Sequence, residues 1–182
     1  MGFGGKSIVG VGESLGPPEI GQLREGGIVF YINEASSYGF VVSLDTWKVR
    51  YGTTQPVYNE LRFGVARYIG AGPANTALML STFGASNDTH IAYYTQTYNA
   101  GGNTDWYIPS NFELRLYADI RGTIDAAIIA NGGTTRDSGG MVASNLKSEY
   151  LVDSISFVNG ANYASGITET NFNTKFIRTF TF

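Results

Sequence analysis

The sequence contains no cysteine and only one histidine, His90, among its 182 residues. Without cysteine there can be no disulfide bond, no thiolate nucleophile and no zinc site built on cysteine ligands. A Ser-His-Asp triad would have to use His90, and no glycine-flanked serine of the nucleophile-elbow type accompanies it. We therefore expect His90 to be a packed or solvated side chain, with no catalytic residues, no cofactor and no metal site.

Long apolar runs and an excess of positive charge are also missing. No stretch of about 18 apolar residues occurs, so the sequence predicts no membrane insertion. The segment after Lys6 is too short and too rich in glycine for the apolar core of a signal peptide. Lysine and arginine number 12 against 15 aspartate and glutamate, which gives a formal net charge of -3. This balance argues against nucleic acid as a partner.

Glycine and aromatic residues are plentiful. The chain has 24 glycines and 14% aromatic residues, a composition that favours a loop-rich fold with short strands over a helical bundle. Its length suits a single domain with its own core. We predict a glycine-rich arm over residues 1–21, followed by one α+β domain over residues 22–182. That domain would contain short, mostly antiparallel strands and two or three helices, and would be lectin-like in general character.

The densest local signals lie in residues 103–121. Ser110 and Glu113 have the spacing of a capping box, in which each side chain bonds the backbone amide of the other residue at the start of a helix. The pattern predicts a short strand over residues 105–108 and a helix over residues 111–121. The apolar face predicted for this helix consists of Phe112, Leu116, Tyr117 and Ile120.

Hydrophobic patterning predicts the remaining elements. Strands over residues 28–32 and 40–44 would form a hairpin, and Trp47–Tyr51 would continue the same sheet. Alternate side chains over residues 176–182 have the period of a strand, which predicts a last strand that closes onto that sheet.

Two further helices and one further hairpin are expected. Pro73 suits the first turn of a helix that ends at Gly84, and a second helix would begin at Gly122. The core-facing residues predicted for the first of these helices are Ala74, Ala77, Leu78 and Phe83. Strands are expected over residues 141–145 and 154–158, and the turn that follows them is predicted at Asn159-Gly160.

Four short stretches share a pattern when taken in order along the chain. They read GGIVFYI at 26–32, IGAGPANT at 69–76, DWYIPS at 105–110 with EL at 113–114, and KFIR at 175–178. In this order they resemble the C-terminal domain family of the Legionella collagen-like adhesin, which also occurs in bacterial surface proteins and phage structural proteins. The resemblance covers about residues 20–182.

This resemblance implies a non-enzymatic structural or adhesion component. It would be displayed on a phage virion, as fibre, tail or capsid decoration, or alternatively on a bacterial surface, and would bind a host surface glycan. The candidate ligand-binding residues are Asp105, Trp106, Tyr107 and Tyr150. Aromatic side chains with polar tips suit cores and interfaces as well as sugars. The sulfated glycans of the Legionella domain require a basic surface, whereas the basic residues here are scattered: Arg62, Arg67, Arg136, Lys147 and Lys175.

An enzyme that degrades a surface polysaccharide is the alternative. Glycoside hydrolysis needs a pair of carboxylates, and Asp105 and Glu113 lie close together in the sequence. Glu113 already has a structural role as the capping partner of Ser110, so we favour the non-enzymatic interpretation.

The glycine-rich arm is the predicted attachment segment. Its apolar anchors would be Ile8, Val9, Val11 and Leu15, and strand addition would supply backbone hydrogen bonds to a partner. The expected partners are other virion or surface structural proteins. The resemblance implies a homo-oligomer, a trimer, on the virion surface.

Overall fold

Two β-sheets and three α-helices occupy the part of the chain that the computed structural model describes, which is residues 16–49, 66–84, 90–135, 140–148, 151–166 and 172–182. The strands are mostly antiparallel, so the predicted α+β fold is confirmed. The predicted anchors of the arm and the predicted site residue Tyr150 lie outside these ranges, as do Arg62 and Arg136.

The first sheet has the strand order β1-β2-β3-β9. Its strands are β1 (Leu23–Arg24), β2 (Gly27–Asn33), β3 (Tyr38–Ser43) and β9 (Ile177–Thr181). The β2–β3 hairpin is confirmed, with a short 3-10 turn at Glu34–Ser36 between the two strands. The last strand closes onto this sheet as expected, because Phe40 of β3 pairs with Thr179 of β9.

The second sheet has the order β4-β8-β5-β6-β7. Its strands are β4 (Trp47–Val49), β5 (Gly140–Ser148), β6 (Leu151–Ser156), β7 (Asn162–Gly166) and β8 (Phe172–Thr174). The turn predicted at Asn159-Gly160 is confirmed, with Gly160 at φ +70° donating to the Ser156 carbonyl at 2.8 Å.

The expectation that Trp47 begins a continuation of the first sheet is wrong. Trp47 pairs with Thr174 of β8 in the second sheet. Its ring stacks on Phe176, with centroids 5.3 Å apart, and meets Tyr98 edge-on at 5.8 Å. These aromatic contacts pack Trp47 of β4 against residues that are far from it in the sequence.

The helices are α1 (Gly72–Phe83), α2 (Asn111–Asp119) and α3 (Arg121–Ala130), with further 3-10 turns at Ile91–Gln96 and Ala100–Gly102. The predicted limits of α1, at Pro73 and Gly84, are confirmed. The predicted strand over residues 105–108 is reduced to a single antiparallel bridge between Tyr107 and Ile177. No helix within the described ranges is long and apolar enough to cross a membrane.

The inward face of α1 differs from the prediction. Ala74 and Ala77 are exposed, whereas Leu78 and Phe83 are half-buried and pack against the core as predicted. The buried positions of α1 are Gly72, Asn75, Thr76 and Met79. The Asn75 amide group bonds both backbone groups of Ala66, and the Thr76 hydroxyl accepts from the Ile108 amide. Specific polar contacts of this kind set the rotation of the helix, because burying a small alanine side chain gains little free energy.

The predicted face of α2 is wrong at one position. Phe112 is 52% exposed, whereas Glu113, Leu114 and Tyr117 are buried. The capping box itself is confirmed, because the Ser110 amide donates to Glu113 Oε2 at 2.6 Å and the Glu113 amide donates to Ser110 Oγ at 3.4 Å. Turning Glu113 inward for these bonds places Phe112, its neighbour on the helix, toward solvent.

Candidate functional site

A surface cleft of about 400 Å³ lies between helix α1 and the edge strand β9. Pro73, Ala77 and Leu80 of α1 supply apolar lining, and Thr95 and Gln96 of the 3-10 turn and Thr179 of β9 line the cleft as well. The segment Thr104–Tyr107, which is bonded to β9 through Tyr107, forms its floor. Three of the four predicted ligand-binding residues are therefore neighbours in one cleft.

The three predicted residues differ in how much exposed surface they present to a ligand. Trp106 and Tyr107 are only 3% and 4% exposed. The Trp106 ring packs edge-on against Tyr98, with centroids 5.0 Å apart, and the Tyr107 hydroxyl bonds Thr179 Oγ1 at 2.9 Å. Burial raises the pKa of Tyr107, and the Glu113 carboxylate adds to the effect. Of the three, only Asp105 presents most of its side chain to solvent.

The floor of the cleft is fixed to β9 through the backbone. The Tyr107 amide donates to the Ile177 carbonyl, and the Ile177 amide donates to the Tyr107 carbonyl, both at 2.9 Å. Tyr107 therefore occupies, for one residue, the position of a further strand at the edge of the first sheet.

Beyond this bridge the edge of β9 has no strand partner among the residues that the structure describes. Backbone groups alternate in direction along a strand, so the amides and carbonyls of Thr179 and Thr181 face the same way as those of Ile177, away from β3. In the described part of the chain, no residue continues the pairing past Tyr107. Within the described ranges, the outward backbone groups of Thr179, which lines the cleft, and of Thr181 thus have no backbone partner.

One cation and two anions lie at the rim of the cleft. Arg178 Nη1 bonds Glu25 Oε2 at 2.8 Å, and Arg178 Nε bonds Asp105 Oδ1. The Arg178 side chain is 15% exposed, whereas that of Asp105 is 61% exposed. Because both acids share one guanidinium, these three side chains together carry one negative charge, and Asp105 is the one of them that lines the cleft.

The second carboxylate of the proposed catalytic pair is not available to the cleft. Glu113 is fully buried and accepts from the Ser110 amide and from the Gly70 amide, the latter at 2.8 Å. Burial raises its pKa, and these bonds act in the opposite direction. A Cβ on Gly72 would lie 2.5 Å from Glu113 Oε2 and from the Tyr107 ring, so the packing here requires glycine. Asp105 is the cleft's acidic lining residue, while Glu113 joins α1 to α2.

His90 is a packed side chain. It is fully buried, its ring lies 5.0 Å from that of Phe83, and Nε2 lies 3.1 Å from the Gly84 carbonyl oxygen. Burial lowers its pKa, and the contact with Gly84 opposes that shift. It does not line the cleft.

Lys175 is the feature that sequence reasoning missed. The sequence places Lys175 among scattered basic residues, yet the side chain is fully buried. Its Nζ lies 2.8 to 3.1 Å from the carbonyl oxygens of Ser43, Leu44, Asp45 and Thr134. Burial lowers the pKa of Lys175 to about 7, against the attraction of Asp125 and Asp45. The one available signal in the sequence is the position of Lys175 two residues before the apolar Ile177, on the same face of an extended chain.

Comparison with known proteins bears on the fold. No protein-family model matches the sequence, and no curated protein matches it. Among solved structures, the chain is similar to a fimbrial protein from Bacteroides ovatus ATCC 8483, with a TM-score of 0.58 and 18% sequence identity. The similarity covers 79% of this chain and 36% of the fimbrial protein, so this chain spans little more than a third of that protein's length. At this identity the similarity shows a shared fold.

Proposed function

We propose that this chain is a non-enzymatic structural or adhesion component of a bacterial or virion surface. The observation that carries the proposal is the similarity in fold to a fimbrial protein over 79% of the chain. Fimbriae are surface appendages, and the resemblance to an adhesin domain seen in the sequence leads to the same class of protein by an independent route.

The chemistry of the cleft supports a binding role over catalysis. Asp105 is its one acidic lining residue, and the carboxylate is already bound by Arg178. Glycoside hydrolysis needs a second carboxyl group on the opposite side of the bond that is cleaved. Glu113, the candidate for that role, is buried in its capping contacts.

The location on a virion, the oligomeric state and the ligand are proposed from the sequence. We place the chain on the virion surface, as a homotrimer attached to other structural proteins through Ile8, Val9, Val11 and Leu15 of the arm. The family resemblance implies a host glycan as the ligand of the surface around Asp105, Trp106, Tyr107 and Tyr150.

Localisation is tested by immunogold electron microscopy with antibodies raised against the purified chain. Labelling of virions or of cell-surface structures is the expected result. Label confined to the cell interior would overturn the proposal. Deletion of residues 2–18 should lower incorporation into the labelled particle, while normal incorporation would mean that the arm plays no part in attachment.

The absence of catalysis is tested by incubating the chain with host surface polysaccharide and measuring new reducing ends. We expect none above the buffer control. Turnover that disappears in Asp105→Asn, a variant that keeps the shape of the side chain and removes its charge, would establish the polysaccharide-degrading alternative. A glycan array run on the chain and on Asp105→Ala tests the ligand class that the resemblance implies.

A further inference from the structure

We propose that the cleft is a docking groove for an extended peptide strand, and that its occupant is the N-terminal segment of a second copy of this chain. The inference rests on the proposed function in one respect, since it assumes a protein that assembles through its own copies. It assigns the cleft a class of ligand different from the glycan that the family resemblance implies. It also gives the arm a second copy of this chain as its partner, in place of the other structural proteins named under the proposed function.

The open edge of β9 is the first argument. The amides and carbonyls of Thr179 and Thr181 face away from β3 and have no partner among the described residues. An added strand satisfies such groups with regular backbone hydrogen bonds, which a sugar ring cannot reproduce. The antiparallel bridge of Tyr107 to Ile177 shows that this edge accepts a strand partner from that side.

The apolar lining from α1 is the second argument. Ala77 and Leu80 of α1 line the cleft together with Thr179 and present apolar surface. A strand added beside β9 sends alternate side chains to opposite faces of the sheet, so one set of them would meet α1. The buried rings of Trp106 and Tyr107 leave no open aromatic face of the kind on which a sugar stacks. The walls therefore favour a peptide over a saccharide.

The occupant is chosen from the sequence of the chain. Residues 7–12 read SIVGVG and carry no charge, so no charged side chain would enter the apolar part of the groove. Val9 and Val11 share one face of an extended segment, and β-branched residues favour strands.

A second copy is preferred as the source of the strand. Gly16 accepts a hydrogen bond from Arg24, and the Arg24 guanidinium lies 5.2 Å from the centre of the Phe180 ring. Pro17 and Pro18 follow, and a residue before proline is held in extended conformations. The contacts of Arg24 place Gly16 beside the first sheet of its own chain, so a second copy is chosen because the proposed function assumes assembly between copies.

A disulfide cross-link between two different chains tests the proposal, and the absence of natural cysteine makes the test specific. One full-length chain carries Val9→Cys, and a second, enlarged by a tag, carries Ala77→Cys. Oxidation of the mixture should give a heterodimer well above the level reached with a Val158→Cys partner. Val158 is 68% exposed and lies on the β6–β7 turn, away from the cleft, so it controls for random collision.

Two substitutions in β9 separate strand addition from simple proximity. Thr179→Pro removes an amide that faces the open edge and should abolish the heterodimer. Thr179→Val keeps the amide, loses only the hydroxyl, and should leave the yield unchanged. Melting curves of both variants check that the fold is intact. If Thr179→Pro fails to fold, competition by a synthetic peptide of residues 6–14, against a scrambled peptide, provides the test in the unmodified chain.

Three results would overturn the inference. The first is a heterodimer yield equal to that of the Val158→Cys control. The second is an intramolecular disulfide in a chain carrying both cysteines, without heterodimer, which would show that the strand docks onto its own chain. The third is saccharide binding lost in Ala77→Lys without any cross-linking between copies. None of these outcomes changes the localisation experiment, so failure of this inference is distinguishable from failure of the proposed function.

Discussion

Lys175 and Arg178 are cations three positions apart on the chain, and they occupy opposite kinds of environment. Lys175 is fully buried among four backbone carbonyls, whereas Arg178 lies at the rim of the cleft between two carboxylates. The first region joins parts of the chain that are distant in sequence. The second borders an open surface. The comparison shows that a basic side chain can build a core or border a site, depending on the acceptors around it.

The carbonyl cluster around Lys175 links three segments. The carbonyls belong to the end of β3 and the turn after it, at residues 43–45, and to Thr134 after α3. The same segments are joined directly, because the Thr134 amide donates to the Leu44 carbonyl at 2.9 Å and the Phe176 amide donates to Ser43 Oγ at 3.1 Å. In a chain without cysteine, this cluster fixes three segments without any covalent cross-link.

The largest effect is expected for Lys175→Met, which keeps the length of the side chain and removes the amine. All four carbonyls would lose the bond from the amine, but those of Leu44, Asp45 and Thr134 keep another donor. A hydrogen bond to a charged group contributes about 1.5 to 3 kcal/mol. Because three of the carbonyls are not left unsatisfied, we expect a loss of about 2 to 4 kcal/mol in the unfolding free energy, measured by urea denaturation. Lys147→Met, at an exposed position of β5, is the control. A loss below about 1 kcal/mol would show that the cluster is not a structural element.

A smaller and pH-dependent effect should separate the two cations. Burial lowers the pKa of Lys175 to about 7, whereas the unfolded value is about 10.4. The folded chain therefore releases this proton first, and the contribution of Lys175 to the unfolding free energy rises as pH increases from about 7 toward about 10. Arginine stays protonated throughout this range. Denaturation at about pH 7 and about pH 9 should show the wild type gaining stability relative to Lys175→Met. Parallel pH profiles would show that the carbonyls keep the amine charged.

The smallest effect is expected for Arg178→Met at the rim of the cleft. Its carboxylate partners are partly exposed, so the lost ion pairs should lower the unfolding free energy by about 1 kcal/mol or less. The difference from wild type should shrink further between about 0.05 M and about 0.5 M salt, because exposed charges are screened. A loss comparable to that of Lys175→Met, unaffected by salt, would remove the distinction between the two regions.

Local signals could be predicted from the sequence, and contacts between distant segments could not. The capping box of Ser110 and Glu113, the limits of α1 and the β2–β3 hairpin depend on residues a few positions apart, and all three are confirmed. The position of Trp47 in the second sheet depends on Phe176, which is far away in the sequence. No pattern within residues 47–51 carries that information.

The predictions of which residues of α1 and α2 face the core failed for a related reason. Hydrophobic periodicity placed Phe112 and Ala77 inside, but buried polar side chains set the rotation of both helices. Asn75 bonds Ser144 Oγ at 2.9 Å, and Glu113 bonds the Gly70 amide. These polar contacts have partners on other elements, so the sequence of the helix alone gives no sign of them. The same limit hid Lys175, whose four acceptors are backbone groups that any residue could supply. For the site, the sequence identified the floor residues Asp105–Tyr107, while the wall of α1 and the open edge of β9 emerged only from the tertiary arrangement.

Hydrogen exchange of individual backbone amides along β9 tests the central claim, that the cleft edge is a docking site for a strand, most directly. The full chain is measured unmodified at a low and at a high concentration. The Thr179 and Thr181 amides should exchange rapidly when dilute and slow down on concentration, as copies dock on one another. The Phe180 amide faces β3 and serves as the internal reference, protected at both concentrations. Exchange of Thr179 and Thr181 that is equally fast at both concentrations would contradict the account.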